Sequence, residues 1–268
     1  MTVVGSVIDS PDLVAAPQAS LPCRDEDDWT VVFNLGGYKN FVLDYGTNDA
    51  FVRLMVRVAW RLLQATDCSE VLVCCGAFGE GRSRTLHFQG RKVDLALLPH
   101  SAFVRRVRSC TVYAMTPGLT SLHESVALER FPLLLPEEHY GHQWNVDMLG
   151  SAASARMAVR IGEVVDTFVP DDDYEGTVAI AGMAATILGS ERLTTRLAEI
   201  VIERVLTVRG LASDVQRAGI TELRRMFVGP DSVDLIARQL HCFDQHARTI
   251  EHRGAERSIE QAVTTIRP

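Results

Sequence analysis

The chain has 268 residues, 47% of them apolar and 23% charged, and its 27 Lys and Arg against 34 Asp and Glu give a net charge of -7. That size suits one globular domain, or one domain with an appendage, and the acidic balance speaks against a surface built to coat nucleic acid and, less strongly, against anionic membranes. No run reaches the ~20 consecutive apolar residues of a membrane helix, and the N-terminus lacks the basic start and long apolar core of a secretory signal, so a soluble cytoplasmic protein without a transmembrane segment is expected.

Residues 1–28 mix Ser, Pro and Ala with the acidic run "RDEDDW" and read as a linker-like arm, with one short strand possible at "TVVGSVI". From Trp29 the texture changes. "WTVVFNL" is a short β-branched run ending at Gly36-Gly37, as a buried parallel strand does. Residues 49–65 carry apolar positions at helical spacing. "SEVLVCCGAF" and "KVDLALLPH" read as strands, "SAFVRRVRS" as a short helix, and "CTVYAMT" as a fourth strand. "PGLTSLHESVALE" reads as a helix, "FPLLLPEE" as a fifth strand, "YGHQWNVDMLGSA" as a helix and "ARMAVRIG" as a last short strand.

Strand and helix alternating over short links predict an α/β fold: a parallel Rossmann-like sheet with helices on both faces, spanning 29–166. From 167 to 268 the strand signal fades into four helical segments, the last of them "PDSVDLIARQLHCFDQ". A helical set this short needs a partner surface, so it is expected to pack back on the sheet. The six cysteines, at 23, 68, 74, 75, 110 and 242, form no CxxC pair or zinc spacing and are expected as reduced core residues in a reducing compartment. Cys74 and Cys75 are adjacent in a strand and so point to opposite faces.

In an open α/β sheet ligands bind beyond the carboxyl ends of the strands. Paired glycines at Gly36 and Gly37 let the backbone turn sharply and approach a ligand, or simply make a tight turn. They lack the spacing of a dinucleotide fingerprint or a P-loop. At "TPGLT", Thr116 can cap the next helix, Pro117 fits its first position, and Gly118 leaves the first turn uncovered. Free N–H groups and the helix dipole there suit a diphosphate. Glu124, about two turns on, can reach a ribose diol. Ordinary helix initiation and a solvated glutamate explain the same residues. The loop after "LLLP" offers Glu137, Glu138, His139, Tyr140, His142, Gln143 and Asn145, groups that match sugar hydroxyls. His139 and His142 do not make a metal site by themselves, and no metal is expected.

The stretch from Met115 to Asn145 resembles the donor-binding, C-terminal half of a GT-B glycosyltransferase that uses UDP-sugars. The resemblance implies Gly118, Leu119 and Thr120 at the diphosphate, Glu124 at the ribose, and Gln143 at the donor sugar with Asn145 nearby; Thr116, Glu138 and His142 are further donor-binding candidates. "FNLGGY" resembles the glycine-rich turn that opens this half, giving Gly36 and Gly37. "LPHSAFVRRVRSC" resembles the segment where backbone around Leu98 and Pro99 meets the base, and "MFVGPDSVDLIARQL" resembles the family's closing helices. His142 stands where Asp often precedes the Gln, and "TPG" replaces the commoner His-x-Gly form.

What this implies is a protein that binds a nucleotide-diphosphate sugar as co-substrate, with no cofactor, and passes the sugar to an acceptor hydroxyl. "VVGSVIDSPDL" resembles the linker that joins the two halves, so the chain reads as the second half alone, needing a partner acceptor-binding subunit. The general base is unassigned; His139 and His142 are candidates by position only. A non-catalytic nucleotide-sugar-binding or regulatory module, a remnant of a truncated enzyme, and another α/β enzyme such as a nucleotide-sugar epimerase remain open alternatives.

Overall fold

The computed structural model describes residues 28–36, 49–76 and 83–226. Gly37, Cys23, Cys242, the N-terminal arm and the last predicted helix lie outside the described residues. Among the described residues six strands form one sheet: β1 (Thr30–Asn34), β2 (Glu70–Cys74), β3 (Arg84–Phe88), β4 (Arg91–Ala96), β5 (Val112–Met115) and β6 (Pro132–Leu134). Their order is β3-β4-β2-β1-β5-β6. β1 pairs in parallel with β2 and β5, β2 with β4, and β5 with β6.

β1, β2, β5 and β6 are near-continuous apolar runs because both sheet faces are covered there, whereas β4 alternates, with Val93 and Leu95 buried and Lys92 and Asp94 only partly so. Val31 and Phe33 belong to a core that includes Leu54, Val58 and Leu62 of α1 (Asp49–Ala65). Ile180 and Met183 of α6 (Asp173–Leu188) and Leu197 and Val201 of α7 (Glu191–Gly210) join the same core. The expected packing of the C-terminal helices onto the sheet is therefore present as far as α7. At its end, the Arg209 guanidinium lies 4.4 Å over the Trp29 ring, while the Trp29 indole N–H donates to Asp67 at 2.6 Å.

The opposite face carries α2 (His100–Ser109) and α3 (Leu119–Ala127), with Phe103 edge-on to Tyr113. α4 (Tyr140–Leu149) and the single turn α5 (Ala153–Arg156) follow β6, and α8 (Ser213–Met226) packs on α3 and α5. A Cβ on Gly219 of α8 would lie 2.4 Å from Cε2 of the buried Phe131 ring. Gly219→Val should therefore cost about 1–3 kcal/mol through overpacking, read as a lower midpoint in urea with an unchanged slope.

Three local expectations are corrected. The sheet is not wholly parallel: β3 runs antiparallel to β4 through a two-residue turn at Gln89 and Gly90, both at positive φ (50° and 80°). β3 is an exposed edge strand, so it lacks the apolar run that marks its neighbours. "ARMAVRIG" is not a strand. Its one bond to β6 runs from the Val159 N–H to the Leu134 carbonyl (2.9 Å). The chain then turns away into a 3₁₀ turn, Ile161–Glu163, because the buried Glu137 carboxylate accepts from the Ile161 N–H (2.8 Å) and pairs with Arg160 (3.1 Å). Thr116 does not cap α3. Gly118 holds the cap position with no side-chain cap bond, since the Gly118 N–H turns back to the Thr116 carbonyl at 2.7 Å.

Among the described residues, Cys68, Cys74, Cys75 and Cys110 are buried and form no disulfide. Desolvation pushes the thiols of Cys68, Cys74 and Cys75 up to about 12, which keeps them protonated and inert. Among the described residues no helix is long and apolar enough to cross a membrane.

Candidate functional site

Leaving out the antiparallel edge, the parallel strands in chain order are arranged 3-2-1-4-5. The direction of winding reverses between β1 and β5, and a crevice opens there beyond the carboxyl ends. The two chain segments leaving those strands are fixed by one buried side chain. Asn34 donates from Nδ2 to the Tyr113 hydroxyl (2.9 Å) and to Ser121 Oγ (3.0 Å), and its Oδ1 accepts from the Gly36 N–H (3.0 Å). The end of β1, the middle of β5 and the first turn of α3 are thus held together. Gly36 sits at φ 71°, where a side chain is strained, and a Cβ there would lie 3.4 Å from Thr116 Oγ1.

Two adjoining cavities flank the start of α3. The first, about 600 Å³, lies between Gly36, Thr116, Gly118 and the face of α4 that carries His142. The second, about 430 Å³, lies towards α2 and includes Leu98, His100 and Glu124. Gly36, Thr120 and Ser121 line both.

The start of α3 is chemically unspent. The Leu122 N–H bonds to the Gly118 carbonyl (2.9 Å), but the amides of Leu119, Thr120 and Ser121 meet no acceptor among the described residues. Thr116, only 1% exposed, has a buried hydroxyl with no partner among the described residues. Buried hydroxyls are nearly always paired, so an orphan beside free amides marks a place where an acceptor-rich ligand fits. Glu124 is 8% exposed. Burial raises its carboxyl above the usual range, against an opposing pull from His100, whose Nδ1 lies 3.8 Å from Oε1.

α4 closes the first cavity from above. The Asn145 amide donates to the Pro117 carbonyl (2.7 Å), and the Tyr140 N–H to Thr177 Oγ1 of α6 (3.1 Å). The His139 and His142 rings stack with centroids 3.8 Å apart. Burial lowers both imidazoles below the ordinary range, His142 well below it. Burial therefore favours the neutral form of both rings.

The geometry gathers Gly36, Thr116, Gly118, Leu119, Thr120, His139 and His142 around the first cavity and Leu98 and Glu124 around the second. Glu138, Gln143 and Pro99 line neither. Glu138 is buried, with its backbone N–H directed at His142 Nδ1 (3.4 Å). Sequence reading passed over Asn34 and His100. A polar residue closing an apolar strand was the available signal for Asn34; nothing in the sequence marks His100, whose proximity to Glu124 comes from the packing of α2 beside α3. Among the described residues no three His, Cys, Asp or Glu gather closely enough to hold a metal ion.

No protein-family model and no curated protein matches the chain. Among solved structures it is similar to the spinosyn rhamnosyltransferase SpnG complexed with thymidine diphosphate, at 14% identity over 74% of this chain and 51% of that one, with a TM-score of 0.33. It is also similar to Arabidopsis thaliana UGT89C1 complexed with UDP, at 16% identity over 77% of this chain and 45% of that one (TM-score 0.31). The same plant protein complexed with UDP-L-rhamnose gives 17% identity over 78% and 46%, again with a TM-score of 0.31. The chain spans about half the length of these structures. The α/β assignment rests on the strand order.

Proposed function

We propose that this chain is the donor-binding half of a GT-B glycosyltransferase and holds a nucleotide-diphosphate sugar, UDP-linked, across the carboxyl ends of β1 and β5. One observation carries the reading. At the switch point, the start of α3 offers three free amides and the unpartnered Thr116 hydroxyl to the first cavity, while Glu124 of the same helix faces the second. A diphosphate at the helix start and a ribose at the carboxylate make one continuous ligand. The separation of the two functions along a nine-residue helix suits its length.

In the transfer step an acceptor hydroxyl forms a bond to the anomeric carbon as the bond to the diphosphate oxygen breaks. The acceptor proton passes to a base. Charge grows on the departing diphosphate, and fixed amides and the α3 dipole stabilise it without reorganising. The acceptor and the base come from a complementary acceptor-binding half. His139 and His142 line the donor cavity.

The test is thermal unfolding with uridine, UMP, UDP and a UDP-sugar. At about 100 times the dissociation constant, a ligand specific to the folded state adds about 2.7 kcal/mol. UDP is expected to raise Tm by several degrees and uridine by less. No shift at millimolar UDP would remove the reading. Incubated alone with a UDP-sugar and acceptor alcohols, the chain is expected to transfer nothing; transfer on addition of an acceptor half separates a split enzyme from a non-catalytic binding module.

A further inference from the structure

On the proposed reading the first cavity holds an anion, yet it has no Lys or Arg in its lining among the described residues, and Asp173 supplies its formal charge. Its donors are therefore neutral, the helix amides and the hydroxyls of Thr116, Thr120 and Ser121 among them, with one addition. The buried His142 ring sits across the cavity from α3, and its Nε2 lies 3.4 Å from where a Cβ on Gly118 would stand. Its Nδ1 faces the Glu138 N–H (3.4 Å) and so acts as acceptor. That places the ring proton on Nε2, the atom directed at the helix start. Nε2 itself has no partner among the described residues. Stacking on His139 fixes the ring plane, and the Asn145–Pro117 bond fixes the distance between α4 and the turn.

We propose that His142 donates its Nε2–H to the diphosphate, from the α4 side, so that a phosphate oxygen is held between this imidazole, the Thr116 hydroxyl and the amides that open α3. This makes His142 a donor-contacting residue of assigned atom and tautomer. It rests on the nucleotide-sugar reading for the identity of the ligand, but its own content is a pyrophosphate subsite. A Cβ on Gly118 would stand in van der Waals contact with Nε2, so a larger side chain there would crowd the space the phosphate oxygen takes.

The test uses the full chain and inorganic pyrophosphate. Calorimetric titration should give binding that His142→Phe weakens at least tenfold and that His142→Gln largely restores, since its carboxamide N–H reaches the same region. A second measurement does not depend on a variant folding. In protein labelled with ¹⁵N-histidine, the His142 Nε2–H signal should report the Nε2 tautomer and shift on adding pyrophosphate. No pyrophosphate binding to the wild type, an unshifted His142 signal with pyrophosphate bound, or unchanged affinity in His142→Phe overturns the proposal. Pyrophosphate binding that needs His142, without any preference for UDP over pyrophosphate, upholds the subsite and removes the nucleotide reading. UDP binding that ignores His142 does the reverse.

Discussion

Glu124→Ala is expected to weaken UDP binding by tenfold or more while leaving pyrophosphate binding nearly intact. A charged acceptor to two ribose hydroxyls is worth roughly 1.5–3 kcal/mol per bond, and a tenfold loss is only about 1.4 kcal/mol. Calorimetry with UDP, 2′,3′-dideoxy-UDP and pyrophosphate checks this: the wild type should discriminate against the dideoxy ligand and the variant should not. Equal discrimination by both would place the ribose elsewhere. The same residue carries a stability signature. Its carboxyl titrates higher in the folded chain than in the unfolded one because burial penalises the charge. Below the unfolded value the group is protonated in both states and has no effect. As pH rises through the raised folded value, the folded state holds more protons than the unfolded state and loses stability. Glu124→Gln should therefore unfold at a higher Tm than wild type near neutral pH, with the gain vanishing below about pH 4. A binding residue kept at a cost to the apo fold is what a ligand site predicts; a lower Tm for the Gln variant at pH 7 would mean the carboxylate is structural.

Asn34→Ala is expected to be the most damaging single change at the crevice. Three hydrogen bonds end on this side chain, to Tyr113, Ser121 and Gly36. At roughly 1 kcal/mol each, with a further penalty for the hydroxyls left behind, the loss is about 2–4 kcal/mol. For a chain of this size that is on the order of 5–15 °C in Tm. Asn34→Asp separates fold from function. The Tyr113 and Ser121 hydroxyls can reorient to donate to a carboxylate, so more stability is retained. A buried negative charge beneath the start of α3 then repels a diphosphate, so UDP affinity falls further than stability does. Urea unfolding and UDP titration on the two variants decide it; parallel losses in both would leave Asn34 a fold residue only.

Leu119 and Trp144, which line the first cavity, are exposed apolar side chains that the core does not account for.

The apolar runs of β1, β2, β5 and β6 were legible in the sequence because strands buried on both faces leave no polar alternation, and β4 was legible from the alternation of Val93 and Leu95 with Lys92 and Asp94. The helix at 49–65 was legible because one face of it is core. The glycine after β1 and the Thr-Pro-Gly turn could be placed at strand ends for the same reason. β3 was not legible, since an exposed edge strand buries no face and leaves no apolar trace. The false strand at "ARMAVRIG" has the opposite cause: its Val159 and Ile161 are core residues, but an internal salt bridge and a carboxylate–amide bond to Glu137 bend the backbone away from the sheet.

The sequence by itself therefore determined the layered α/β architecture and the strand end at which a ligand could sit, because both follow from local apolar patterning and backbone-permissive residues. Only the tertiary structure decided which polar groups are spent and which are available. Glu137 is consumed by Arg160 and Ile161, and Asn34 by three partners across the crevice. The Thr116 hydroxyl is left over, and His142 is brought over Gly118 from an element more than twenty residues away. Hydrogen-bond satisfaction is a property of neighbours in space, and that is why it could not be read along the chain.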